Sequence, residues 1–162
     1  MRLVQIFVIY KLIPGKLIAI KELENNKCTI QMLQNEVKVL KRLKHANLLQ
    51  LLAYTEEKKH CCLLYPYMES GNLRKVLEKT SINQNGLSWN ASQKIILGLA
   101  DGLKYLHHLE YVHLDIKPEN VLLDLNEVPK ICDFGSIRQS GIRSSLPPCR
   151  TFAYQPPEVV SG

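Results

Sequence analysis

His113-Leu114-Asp115-Ile116-Lys117-Pro118-Glu119-Asn120, followed downstream by Asp133-Phe134-Gly135, is the stretch on which the reading of this chain turns. It offers two aspartates, a lysine and an asparagine on loops beside two short apolar runs, 120–123 and 129–132, spaced as a small hairpin. Carboxylate and amide oxygens are the ligands a hard divalent cation takes, and a lysine supplies positive charge to a phosphate in transfer. Singly, each residue has a plainer reading. A loop aspartate is most often a turn or cap residue, and Asp-Phe-Gly is a common turn.

Upstream, the patterning changes character twice. Residues 4–23 are rich in Ile, Val, Leu and Tyr and broken by Pro14-Gly15, which reads as two strands and a turn. Leu33, Val37, Leu40 and Leu43 make an amphipathic helix over 31–44. Residues 48–54 and 61–67 read as a second strand pair with its turn at 56–59. A short helix over 72–78 and a polar loop over 80–86 follow. Ser88 is a plausible N-cap for a long helix to about His108, whose apolar face carries Ile95, Ile96, Leu99, Leu103 and Leu106. From Gly135 to Gly162 no periodicity is visible. Strands with one helix first, then helices and a small hairpin, make an α+β arrangement.

Composition narrows the classes. The chain has 162 residues, 46% hydrophobic and 22% charged, which excludes disorder, collagen and coiled coil as leading readings. No apolar run approaches the ~18 residues of a membrane span, and Gln5 and Lys11 spoil the faint likeness of residues 1–10 to a signal peptide. Five cysteines (Cys28, Cys61, Cys62, Cys132 and Cys149) with no Cys-x-x-Cys spacing fit a reduced, intracellular chain better than a zinc site, with Cys61-Cys62 in a buried strand. The net charge of +6 lies in the first half, where residues 1–80 hold 14 Lys+Arg against 7 Asp+Glu. No aromatic residues interleave Lys38, Lys41, Arg42 and Lys44, so a solvated helix face is favoured over a nucleic-acid surface.

Taken together, four motifs in order resemble the protein kinase family: Ile18-Ala19-Ile20-Lys21, the loop from His113 to Asn120, Asp133-Phe134-Gly135, and Pro156-Pro157-Glu158. Glu36, on the helix after Lys21, is similar to the family's helix-C glutamate. The resemblance covers nearly the whole chain from about Val8. It implies a two-lobed α+β fold cut at both ends: a small lobe over 1–64 lacking the glycine-rich loop, a hinge at 65–68, and a helical lobe over 69–162 running through the activation segment. It implies a cytoplasmic enzyme using ATP and Mg²⁺, with a protein substrate, no nucleic-acid partner, no membrane span in this chain, and room for signalling domains outside it. Lys21 would hold the α- and β-phosphates and pair with Glu36; Asp115 would accept the proton of the substrate hydroxyl; Asn120 and Asp133 would hold the metal ions; Lys117 would steady the γ-phosphoryl. Ala19 and Leu122 would sandwich adenine, Tyr65 would be the gatekeeper, and the Pro66 carbonyl and Met68 N–H would serve the base, since Pro66 has no N–H. Leu40, Leu51, Phe134 and His113 would stack as a column between the lobes.

Lys117 and Thr151, the latter at the family's substrate-adjacent threonine, resemble Ser/Thr rather than tyrosine kinases. Tyr65, Leu87-Ser88-Trp89 and Pro156-Pro157-Glu158 are similar to the Pelle and interleukin-receptor-associated kinases of the tyrosine-kinase-like group, and receptor-like kinases share several of these features. Departures from the family bear on activity. Leu114 stands where an Arg usually meets an activation-loop phosphate, which implies a kinase not switched by that phosphate. Residues 2–7 carry no glycine where bare N–H groups should approach phosphates, and the chain stops just after Glu158. The sequence therefore leaves three readings: a partial Ser/Thr kinase domain, a pseudokinase-like nucleotide-binding or scaffolding module, or an inactive gene-model fragment. As a partial domain, it is expected to be marginally stable and slow.

Overall fold

In the computed structural model, the described residues are 6–13, 16–23, 34, 36–57, 60–82, 87–141 and 154. The first strand pair forms as the apolar runs require: β1 (Ile6–Ile13) lies antiparallel to β2 (Lys16–Leu23), with Ile9 opposite Ala19. β3 (Ala53–Glu57) and β4 (His60–Pro66) complete a sheet of order β1-β2-β4-β3. On β2 and β4, Ala19 faces Tyr65 and Lys21 faces Leu63. Side chains alternate across a strand, so these four share one face, with Ile18 and Ile20 on the other. Cys62 is half-buried on β4, so the expected buried strand is present but this thiol is not sealed in it. Among the described residues Cys62 and Cys132 are free thiols.

Among the described residues the helix expected over 31–44 is helical at Gln34 and over 36–40 (α1) and then turns at 41–42. The Lys41 N–H still bonds four residues back, to Val37, but the Arg42 N–H bonds only three back, to Val39, a tightened last turn. What ends the helix is capture of the next segment. The Asn47 carbonyl accepts from the Ile131 N–H, the Leu49 N–H donates to the Ile131 carbonyl, and Asn47 Nδ2 donates to the Pro129 carbonyl at 3.0 Å. The same capture corrects the strand expected at 48–54: Leu48 makes a parallel bridge to Ile131, and pairing with β4 begins only at Ala53. Lys38, Lys41, Arg42 and Lys44 are all exposed, as a solvated face should be.

β5 (Gly71–Asn72) leads into α2 (Leu73–Ile82), which Asn72 caps by accepting from the Lys75 N–H at 2.9 Å. α2 outruns the expected 72–78 because Thr80 and Ser81 are only mildly unfavourable in a helix and no Gly or Pro intervenes. α3 (Trp89–His108) starts where expected, with Ser88 Oγ accepting from the Ala91 N–H at 3.2 Å. Its apolar face is narrower than the spacing suggested: Ile95 and Leu106 are buried, whereas Ile96 is 62% exposed. The hairpin forms as β7 (Val121–Leu123) and β8 (Pro129–Ile131), with β5 on its outer edge; two further two-residue strands, β6 (Tyr111–Val112) and β9 (Arg138–Gln139), pair with each other. One core cluster joins the sheet side to the helical side through Leu40, Leu63, Tyr65, Leu106, Ile131 and Phe134, with Leu51 packed against it. The His113 ring meets Phe134 edge-on at 5.2 Å.

α3 presses its backbone onto β8 and Asn47. A Cβ on Gly98 would lie 2.6 Å from Pro129 Cγ and 2.7 Å from Asn47 Nδ2. Alanine is worth about 1 kcal/mol over glycine inside a helix, but overpacking against a proline ring costs about 1–3 kcal/mol. Gly98→Ala is therefore expected to lower the urea midpoint. A raised midpoint would show that the contact yields.

Candidate active site

Three elements converge on the Lys21 ammonium. Its Nζ lies 3.2 Å from Glu36 Oε2 on α1 and 2.9 Å from Asp133 Oδ1. Lys21 is 4% and Glu36 2% exposed. Tyr65, at the same face of β4, donates its hydroxyl to Glu36 Oε1 at 3.1 Å. Asp133 sits in the left-handed region at φ 63° and opens the 3₁₀ turn Phe134–Ser136, which sinks Phe134 into the core and turns the Asp133 carboxylate towards Lys21.

The charges in this cluster do not balance, and the titration follows. Burial opposes the Lys21 cation, but Glu36 and Asp133 together outweigh it and hold the amine above its ordinary range. Burial also opposes the Asp133 carboxylate, and Lys21 overrides it downward. At Glu36 burial prevails over Lys21 and raises the carboxyl. Burial and the Glu36 carboxylate push the Tyr65 hydroxyl up, so it stays a donor.

A second knot forms around Asp115. Asn120 Nδ2 donates both to the Asp115 carbonyl at 2.8 Å and to Asp115 Oδ2 at 2.9 Å, closing the loop on itself. Lys117 Nζ reaches Asp115 Oδ2 at 2.7 Å. The loop is held from below by His113, whose Nε2 bonds the Cys132 carbonyl at 3.0 Å while Nδ1 accepts from the Asp115 N–H at 3.3 Å. That pairing fixes the neutral ring with its proton on Nε2.

Between the two knots lies a cavity of about 300 Å³. All nine residues assigned by resemblance to nucleotide or metal line it: Ala19, Lys21, Glu36, Tyr65, Pro66, Met68, Asn120, Leu122 and Asp133. Asp115 and Lys117 are not in that lining and connect to it through Asn120. Sequence reading missed Leu49, Asn72, Lys75, Glu119 and Cys132 in the wall. Glu119 stands within the quoted motif and Cys132 directly before Asp133, so adjacency was the available signal. At the 65–68 segment the Tyr67 N–H is taken by the Leu17 carbonyl and the Met68 carbonyl by the Gly71 N–H. The Met68 N–H has no backbone partner among the described residues. Thr151, Pro156-Pro157-Glu158 and residues 2–5 of the expected phosphate loop lie outside the described residues.

A divalent cation fits the donor set. Asn120 spends its amide nitrogen on Asp115, which leaves Oδ1 as its acceptor. Asp133 has a second carboxylate oxygen beyond the one on Lys21. Both residues line the same cavity, and oxygen ligands of this kind suit a hard cation that also takes phosphate and water. No cluster of three His, Cys, Asp or Glu side chains suited to a metal occurs among the described residues, so the protein would supply part of a coordination shell rather than a cage.

The family model for the protein kinase domain matches residues 5–162. The chain belongs to the protein kinase family. It is 38% identical over 95% of its length to Protein SUPPRESSOR OF NPR1-1 CONSTITUTIVE 4 of Arabidopsis thaliana, covering 14% of that protein. It is 41% identical over 81% of its length to the G-type lectin S-receptor-like serine/threonine-protein kinase SRK, and 39% identical over 76% to the leucine-rich repeat receptor-like protein kinase PEPR1, both of the same plant. It spans 16% and 12% of those two. No helix among the described residues is long and apolar enough to cross a membrane.

His113 gives the site a pH signature. Burial lowers its pKa, against the pull of the Cys132 carbonyl and of Asp133 and Asp115. A base whose folded pKa is depressed binds fewer protons folded than unfolded below about pH 6.5, so stability rises with pH through that window and is lost as pH falls. Urea unfolding of the parent is expected to weaken from pH 7 to pH 5 by up to about 1.4 kcal/mol per unit for this group. His113→Gln, which keeps a donor for Cys132 but cannot titrate, should show a shallower slope. Equal slopes would remove His113 as the source.

Proposed function

We propose that this chain is the catalytic domain of a protein serine/threonine kinase, moving the γ-phosphoryl of ATP to a Ser or Thr hydroxyl of a protein. The observation that carries this reading is the buried contact of Lys21 with both Glu36 and Asp133 at the wall of a cavity that also holds Pro66 and Met68. In this reading the domain divides at 1–64, 65–68 and 69–162, a division supported by the end of β4 at Pro66 and the backbone tie from Tyr67 to Leu17. Ser/Thr preference is supported by Lys117 against Asp115 and by the printed name of the S-receptor-like relative. A cytoplasmic location agrees with the free thiols Cys62 and Cys132.

Each residue has a task set by its surroundings. Pro66 and Met68 offer a carbonyl and an N–H to adenine, and Ala19 and Leu122 offer apolar faces above and below it. Lys21, kept protonated and aimed by Glu36, draws the α- and β-phosphates. Tyr65 holds Glu36 in place for that pairing. Mg²⁺, when bound, neutralises charge across the β- and γ-phosphates, and Asn120 and Asp133 are the residues that would hold it. Asp115 orients the incoming hydroxyl and takes its proton as the new O–P bond forms and the bond from the γ-phosphorus to the β-bridging oxygen breaks. Lys117 steadies the charge on the moving phosphoryl. Thr151 would border the substrate hydroxyl. Positioning and electrostatics supply most of such catalysis, and Lys21, Glu36, Tyr65, Asp115, Lys117, Asn120 and Asp133 are each tied to a neighbour that helps to fix it.

The division of labour is testable. Asp115→Asn is expected to cut γ-phosphate transfer to a generic basic protein by ~10³-fold or more, in line with losing both orientation and proton acceptance, with ATP affinity nearly unchanged. Asp133→Asn should weaken Mg²⁺-dependent ATP binding as well as turnover. Parental turnover in Asp115→Asn would sink the assignment.

A further inference from the structure

Behind the 65–68 segment the molecule has a second cavity, of about 450 Å³. Its polar lining is Lys44, His45, Lys130 and the neutral Gln50, so its charged side chains are basic. Its floor is apolar, with Leu48, Pro66 and Met68. No carboxylate lies among the described residues that line it. Lys44 is exposed at the end of a run in which Lys38, Lys41 and Arg42 are also exposed, while the acid of that run, Glu36, is buried against Lys21. Lys130 leans on the Ala46 carbonyl, which fixes its ammonium at the rim with donors to spare. His45 is held by stacking on Tyr105 at 4.9 Å and by accepting from the Asn47 N–H.

We propose that this cavity docks an acidic peptide segment carrying an apolar anchor residue. The basic rim and apolar floor call for one occupant bearing both characters. A bare anion would gain only from lysines whose attraction is screened by solvent and salt, and would leave the Leu48, Pro66 and Met68 floor uncovered. A nucleic acid would find little to stack on, because His45 is the one aromatic ring among the described lining residues and one of its faces is taken by Tyr105. An extended acidic peptide satisfies the lysines along its length and lowers one side chain onto the floor. The site is separate from the chemistry, yet Leu49, Pro66 and Met68 line both cavities, so the docked segment sits against the back of the nucleotide wall.

The test uses the whole chain and a fluorescein-labelled peptide of several glutamates around one leucine, followed by anisotropy. Saturable binding is expected, weakened at least tenfold by Lys44→Glu and kept within threefold by Lys44→Arg. Replacing the peptide's leucine with serine should also weaken it at least threefold. Binding unchanged by Lys44→Glu overturns the proposal. So does equal binding of the serine peptide, or full displacement by inorganic phosphate or oligothymidylate at matched ionic strength, which would reduce the site to a general anion patch. If Lys44→Glu shifts the melting temperature, the leucine-to-serine comparison on the unchanged chain decides.

Discussion

An ammonium taken out of water costs several kcal/mol unless anions meet it, and Lys21 is met by two, from parts of the chain that share no local structure. Glu36 lies on α1 and Asp133 beyond the β7–β8 hairpin, so the ion cluster ties the four-stranded sheet to α1 and to the loop before Phe134. Removing Lys21 would leave the Glu36 carboxylate buried with no cation against it, whereas removing either acid would leave Lys21 one anion. The cluster also carries one more negative charge than positive. Burial leaves Glu36 high, Lys21 draws Asp133 down against its own burial, and Tyr65 donates to the more buried acid.

Much of this site was legible in the residues. Ile18-Ala19-Ile20-Lys21 states its own alternation, and the 113–120 loop names Asp115, Lys117 and Asn120 at a spacing that the 3₁₀ turn Pro118–Asn120 brings together. The Ser88 cap and the hairpin were equally plain. What escaped the sequence was mostly long-range. Nothing local marks residues 47–49 as partners of β8 rather than of β4, because the apolar run Leu48-Leu49 suits either neighbour. β6 and β9 are two residues each, too short for any period to register. Ile96 has the spacing of a core residue but lies where α3 meets no described neighbour. The Tyr65 bond to Glu36 joins positions whose proximity only the β2–β4 register sets.

The loop that presents Asp115 is built with some backbone strain. Leu114, on its N-terminal side, has φ 68°, and Asp133, across the cavity, has φ 63°. Aspartate visits this left-handed region readily, but leucine does so at a cost of about 1–2 kcal/mol. The surroundings outweigh it: the His113 ring grips the chain on one side through Cys132, and Asn120 grips it on the other through Asp115. Strain of this kind persists where neighbours over-determine a position, and here it points the Asp115 side chain to Lys117 and Asn120.

The bonds of Asn47 have a mechanical meaning. They fasten the chain just past α1 to β8, and α3 lies against the same spot with only a glycine backbone between them. Val37, Val39 and Leu40 seat α1 in the core on the same side. Glu36 therefore owes its place to the hairpin as much as to its own helix, and the Lys21–Glu36 pair is moored to β8 through Asn47 as well as to β2.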